Sequence, residues 1–255
     1  MQAIGIVGYS NSGKTTLISR LSECLEARGL RVAIAKHTHH PLDKPDTDTA
    51  LLMRPGRTIV ALSHTKDGGE AMIHWGHPCF LKDIVPLLDA DVLLVEGGKT
   101  LCWLPRILCL RPTPELQTAL PAGLKELKPE LAVASYGEIQ FAGLKSFTAE
   151  TLDALVDVLL ERAFLLPGLD CGACGEKDCA GLAERTVKGE ATPAACVVAS
   201  GAPVKAVQSV AVEVDGQDMA LPPHVAPALW GTLCALCAPL KGVPTGSEVV
   251  LRIKR

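Results

Sequence analysis

Over the first 165 residues, short apolar runs of strand length alternate with stretches of helical spacing. Residues 3–7 (Ala-Ile-Gly-Ile-Val) form a buried-strand run. Residues 14–28 place Leu17, Leu21, Cys24 and Leu25 at helical spacing before Gly29 stops the helix. Further strand-length runs cover residues 31–35, 58–62, 92–95, 107–110 and 131–134. Residues 80–88 and 148–163 read as helices, the second with Thr148 at its N-cap. This alternation predicts an α/β domain, a mostly parallel sheet covered by helices.

The texture changes at Leu166-Pro167-Gly168. Residues 171–196 hold four cysteines among small and polar residues, and a segment this short needs a covalent or metal staple. Gly201-Ala202-Pro203 marks a second boundary. Beyond it, residues 204–214 read as a strand, Asp215-Gly216 as a hairpin turn, 223–240 as a helix and 248–253 as a closing strand. The expected division is an α/β domain over 1–165, a cysteine module over 166–202 and a small α+β domain over 203–255.

Composition narrows the classes. A length of 255 residues suits about two domains. The net charge of −3 leaves no basic surplus for nucleic acid or an anionic membrane. With 48% hydrophobic and 21% charged residues, the chain is not disordered. Aromatics make up only 4%, so aliphatic side chains must fill the core. No run approaches the roughly 18 apolar residues of a membrane span, and the start lacks the charged and cleavable features of a signal peptide. The expected location is the cytoplasm, where the ten cysteines stay reduced or bind metal.

The first chemical signal is Gly8-Tyr9-Ser10-Asn11-Ser12-Gly13-Lys14-Thr15, which fits G-x-x-x-x-G-K-[ST] between a strand and a helix. In such a phosphate loop, backbone N–H groups and the helix N-terminus hold phosphate oxygens. The expected nucleotide contacts are Gly8, Ser10, Asn11, Ser12, Gly13, Lys14, Thr15 and Thr16. Lys14 would reach the β and γ phosphates, and the Thr15 hydroxyl would ligate Mg²⁺. Glu96 closes the apolar run 92–95 and is the candidate acid for holding Mg²⁺ through water; Asp91 starts that run and sits at its far end. Asp48, or Asp46, is a weaker candidate for a switch acid. Lys36-His37-Thr38-His39-His40 carries three histidines in four residues, which suits a metal, an anion or a solvated loop.

The second signal is Cys171-x₂-Cys174-x₄-Cys179-x₁₆-Cys196. One close pair, a third nearby cysteine and a distant fourth fit a [4Fe–4S] cluster better than the two close pairs of structural zinc. Cys234 and Cys237 share a helical face with leucines and read as small buried residues, as do Cys24, Cys79, Cys102 and Cys109 in their apolar runs.

These motifs carry a resemblance. Residues 1–165 resemble the MobB adapters of molybdopterin guanine dinucleotide biosynthesis, through the loop 8–16, the turn into residues 31–35, Lys36-His37-Thr38-His39-His40, Lys44-Pro45 with Asp48, and Val95-Glu96-Gly97 with Lys99. The chain departs from that pattern where Asp46-Thr47 precede Asp48, where Gly98 replaces an aromatic, and at Arg54-Pro55-Gly56. The resemblance implies GTP binding, slow hydrolysis, a homodimer, and work beside a molybdenum-cofactor guanylyltransferase or a client molybdo- or tungsto-enzyme. Lys14, Glu96 and Asp48 would be its catalytic side chains. Residues 171–196 resemble the small iron–sulfur domain of corrinoid iron–sulfur proteins, and the segment after Pro203 resembles a tail accompanying it in some MobB-like proteins. Other classes remain open: a nucleotide-driven electron donor, a metal-delivery GTPase using His37, His39 and His40, and a non-enzymatic scaffold. The residues themselves do not settle guanine against adenine, because Thr65-Lys66-Asp67 precedes the Glu96 strand, where a guanine motif would follow it.

Overall fold

The structure is a computed structural model that describes residues 1–38, 56–65, 68–122, 124–200, 212–214 and 217–219, with Leu42, Thr47, Leu52 and Leu229 singly. It divides into two compact units, Met1–Thr100 with Arg106–Ala163, and Leu101–Pro105 with Phe164–Arg255.

In the first unit, β1 (Gln2–Val7) leads into α1 (Lys14–Ala27), β2 (Val32–Lys36), β3 (Ile59–Thr65) and β4 (Gly68–His74). Then come α2 (Leu81–Ile84), β5 (Val92–Glu96), β6 (Arg106–Cys109), α3 (Pro114–Ala119), β7 (Ala132–Tyr136), β8 (Ser146–Phe147) and α4 (Leu152–Arg162). Six strands form one sheet in the order β2-β5-β1-β6-β7-β8, with every neighbouring pair parallel. Both faces are covered, which explains why these strands read as continuous apolar runs. Ile107 and Cys109 pack with α1 and α4 on one face, while Leu108 and Leu110 pack with Leu116, Leu124 and Leu127 on the other. Helix α1 buries Leu17, Leu21 and Leu25, and Gly29, at φ 79°, turns the chain out of it.

Three expectations are corrected here. The apolar run 58–62 is not a strand of the parallel sheet; β3 and β4 form a separate antiparallel hairpin that leaves Val60 and Leu62 exposed. Cys79 is exposed rather than core, because it precedes the solvent-facing Phe80 at the entry to α2. The helix expected over 80–88 is one turn of α-helix, tightened into a 3₁₀ turn over Val85–Leu87 where Pro86 removes a donor. Thr148 caps a 3₁₀ turn, Ala149–Thr151, that runs into α4.

In the second unit, α5 (Cys179–Lys188) and α6 (Val197–Ser200) precede a hairpin of β9 (Val212–Val214) and β10 (Gln217–Met219). These strands pair antiparallel, with Val214 opposite Gln217, and the turn expected at Asp215-Gly216 lies outside the described residues. The helix expected over 223–240, with Cys234 and Cys237, and the strand over 248–253 lie outside the described residues, Leu229 apart. Among the described residues, no helix is long and apolar enough to cross a membrane.

Candidate functional site

Strand β1 lies between β5 and β6, so the loop that leaves its carboxyl end is flanked by the ends of both neighbours. The connection from β5 to β6 crosses from one side of β1 to the other, and open parallel sheets bind ligands at such a crossing. Here the geometry follows from the glycines. Gly13 is the N-cap of α1 at φ 85°, and Asn11 is left-handed at φ 56°. A Cβ on Gly8 would stand 2.7 Å from the Cys109 carbonyl oxygen and would press on Ser12 Oγ. Lys14 Nζ donates to the Tyr9 carbonyl at 2.6 Å and reaches Ser12 Oγ at 3.5 Å, so it lies folded over its own loop.

Glu96 arrives from β5, whose register sets it opposite both Ile6 and Lys36. Its Oε1 accepts from the Thr15 hydroxyl at 3.1 Å and from Lys36 Nζ at 3.1 Å. The Glu96 side chain is 12% exposed against 59% for Lys36, so the carboxylate is the anchored partner and the lysine reaches in from solvent. Beyond it, Gly97 and Gly98 both take left-handed φ, and the Gly97 N–H donates to the Ile6 carbonyl. The Thr15 hydroxyl and the Glu96 carboxylate thus stand together, a donor set of the kind that would suit Mg²⁺.

Electrostatics favour an anion. Burial lowers the Lys14 pKa, and the Lys99 and Lys36 charges add to the lowering against the Glu96 carboxylate. Burial also pushes the Cys109 thiol up to about 12, so it stays neutral beneath the loop. Ser10, Asn11, Ser12, Gly13, Lys14, Thr15, Thr16, Glu96 and Arg111 line one cavity of about 440 Å³. The structure therefore brings the expected loop residues and Glu96 together. His37 is exposed, with its N–H on the Glu96 carbonyl at 2.9 Å. Asp46, Asp48, His39 and His40 lie outside the described residues. The phosphate-loop motif by itself points to neither Lys36 nor Arg111. The available signal was position, since each follows or ends a strand that borders β5 or β1.

Comparison with known proteins bears on this site. The family model "Molybdopterin guanine dinucleotide synthesis protein B" matches residues 3–134. The chain belongs to the MobB family. A "Putative molybdopterin-guanine dinucleotide biosynthesis adapter protein" of Methanocaldococcus jannaschii is 27% identical, covering 99% of this chain and 97% of its own. The adapter of Haemophilus influenzae is 36% identical over 44% of this chain and 68% of its own. The crystal structure of Bacillus subtilis MobB covers 63% of this chain and 97% of its own, at 24% identity and a TM-score of 0.47.

Beyond the MobB match, a family model described as "Putative Fe-S cluster" covers residues 166–198. There the chain turns through left-handed positions at Gly168, Asp170, Gly172 and Gly175. Asp178 caps α5 by accepting from the Gly181 N–H at 2.9 Å, and Gly189 at φ 79° ends that helix. Cys179 Sγ accepts from the Asp170 N–H at 3.4 Å. Burial raises the Cys179 thiol, while backbone donors from Asp170, Leu169 and Gly168 pull it back. An amide donating to the sulfur is what a cluster-ligating thiolate uses, so Cys179 fits the group. Cys171 and Cys174 are half-buried, Cys196 is buried, and none is in a disulfide. Among the described residues, no three His, Cys, Asp or Glu side chains converge closely enough for a single metal ion.

Proposed function

We propose that this MobB-family chain is a GTP-binding adapter with slow GTPase activity that assists molybdopterin guanine dinucleotide assembly or delivery. The observation that carries the nucleotide part is the meeting of Lys14, Thr15 and Glu96 at one cavity. In this mechanism, the loop amides and Lys14 neutralise the phosphates. Thr15 and Glu96 would hold Mg²⁺, which would supply charge neutralisation at the γ-phosphate. Asp48 would act as a switch acid, with hydrolysis coupled to partner engagement. The partner is a molybdenum-cofactor guanylyltransferase or a client molybdo- or tungsto-enzyme, in the cytoplasm. Support for a homodimer comes from exposed apolar side chains on edge strand β2 and on the β3–β4 hairpin, among them Ile34, Val60, Leu62 and Ile73. We assign residues 1–165 to nucleotide binding, 166–202 to a [4Fe–4S] module on Cys171, Cys174, Cys179 and Cys196, and 203–255 to docking.

The test uses anaerobically purified full-length protein. About four iron and four sulfide per chain, a reduced-cluster paramagnetic signal, and GTP preferred over ATP are expected. Lys14→Ala should weaken GTP binding at least tenfold, as loss of a charged phosphate contact of about 1.5–3 kcal/mol requires. Zinc without sulfide would remove the cluster, and tight ATP binding with GTP ignored would remove the adapter reading.

A further inference from the structure

Arg111 follows the end of β6, the strand on the other side of β1 from Glu96. It lines the phosphate cavity with the loop residues. Its guanidinium carbon and Nε would both lie 3.1 Å from a Cβ built on Gly13, so the group lies directly against the glycine that opens α1. Among the described residues, none donates to it, accepts from it or forms an ion pair with it. By contrast, Arg28, Arg31 and Arg185 each face a carboxylate. A guanidinium presents five N–H donors in a planar fork shaped for carboxylate or phosphate, and cannot discharge by losing its proton. The carboxylate that lines this pocket, Glu96, is engaged by the Thr15 hydroxyl and Lys36 Nζ rather than by Arg111.

We propose that Arg111 binds the α- and β-phosphates of the nucleotide, from the flank of the loop opposite Glu96. This rests on the nucleotide reading above and deepens it. The position against Gly13 selects those phosphates. Loop amides around that glycine cradle the α/β end, whereas Thr15, Mg²⁺ and Glu96 mark the γ end. Arg111 is thus a resident phosphate-binding residue, and GDP keeps its contact after the γ-phosphate has gone. Gly13 has two reasons to be glycine: its left-handed φ, and the space it leaves for the guanidinium.

The experiment titrates GTP and GDP separately, with Mg²⁺, into the full chain as wild type, Arg111→Ala, Arg111→Lys and Lys14→Ala. Arg111→Ala is expected to raise the Kd of both nucleotides by the same factor, about tenfold or more, as for a charge-assisted contact. Arg111→Lys should recover only part, since it keeps the charge and loses the fork. A melting temperature without nucleotide equal to wild type shows the Arg111 variants fold. Unchanged affinity for both nucleotides in Arg111→Ala overturns the assignment, as does a loss confined to GTP, which would place the side chain at the γ-phosphate. A wild type that binds neither nucleotide overturns the nucleotide reading itself, and this assignment with it.

Discussion

At the scale of single residues, the phosphate loop is shaped by what lies under it. The methyl group of Gly8→Ala would meet the Cys109 carbonyl oxygen, a backbone atom of β6 that cannot rotate aside. This overpacking is expected to cost about 1–3 kcal/mol and to weaken GTP binding together with stability. Thermal melts and titration of the same variant check it, and an unchanged melting temperature would contradict the steric account. The motif string shows which positions are glycine, Lys14 and Thr15, because that chemistry is local in sequence. It does not show Cys109, Lys36 or Arg111, which reach the site from the ends of two other strands, β6 and β2. Glu96 was legible for a different reason: an acid closing a fully apolar run sits at a strand's carboxyl end, where the loop must also be.

At the scale of elements, the edge of the sheet away from the nucleotide cavity is tied by one acid. Asp91, just before β5, accepts from the Arg31 backbone N–H and from its guanidinium at 2.9 and 3.1 Å, while its own carbonyl takes the Gln2 N–H. Asp89 pairs with the same guanidinium. Hydrogen bonds from Arg31 hold the Asp91 carboxyl down at about 2. An unfolded aspartate titrates near pH 4, so the native state binds fewer protons between these values. The contribution is complete above about pH 4 and fades as pH falls toward 2. Asp91→Asn should lower the denaturant midpoint slightly at pH 7, and the gap to wild type should narrow steadily as pH falls from 4 toward 2. A gap constant from pH 7 to pH 2 would show that the carboxylate is not the stabilising group. The β3–β4 hairpin shows where element-scale reading runs out. Residues 58–62 look like any buried run, and only tertiary packing reveals that Val60 and Leu62 stay exposed. Their partner, Gly68-Gly69-Glu70-Ala71-Met72-Ile73-His74, begins with two glycines and a charge and gives a weak strand signal.

At the scale of the whole molecule, the cavity that lines up Lys14, Glu96 and Arg111 draws every wall residue from the first unit, and the four-cysteine segment lies in the second. The double variant Cys171→Ser/Cys174→Ser should therefore lose most of its iron while its GTP Kd stays within about twofold of wild type, as for sites that share no partner. A parallel collapse of both would show that the cluster and the nucleotide share one cooperative structure. The two units are not simply strung end to end. Between β5 and β6 the chain leaves the first unit at Thr100, contributes Leu101–Pro105 to the second, and returns at Arg106. Within the second unit the Trp103 carbonyl accepts from the Leu166 N–H, and the indole stands 3.1 Å from where a Cβ on Gly168 would be. The architecture therefore resists cutting and pasting. Shortening the chain after Ala163 would strand an indole built to be covered, and appending residues 164–200 to another protein would leave behind the five residues they close upon. Transplanting this module to a new host takes two grafts that must match, one at the seam and one in the middle of the recipient's sheet.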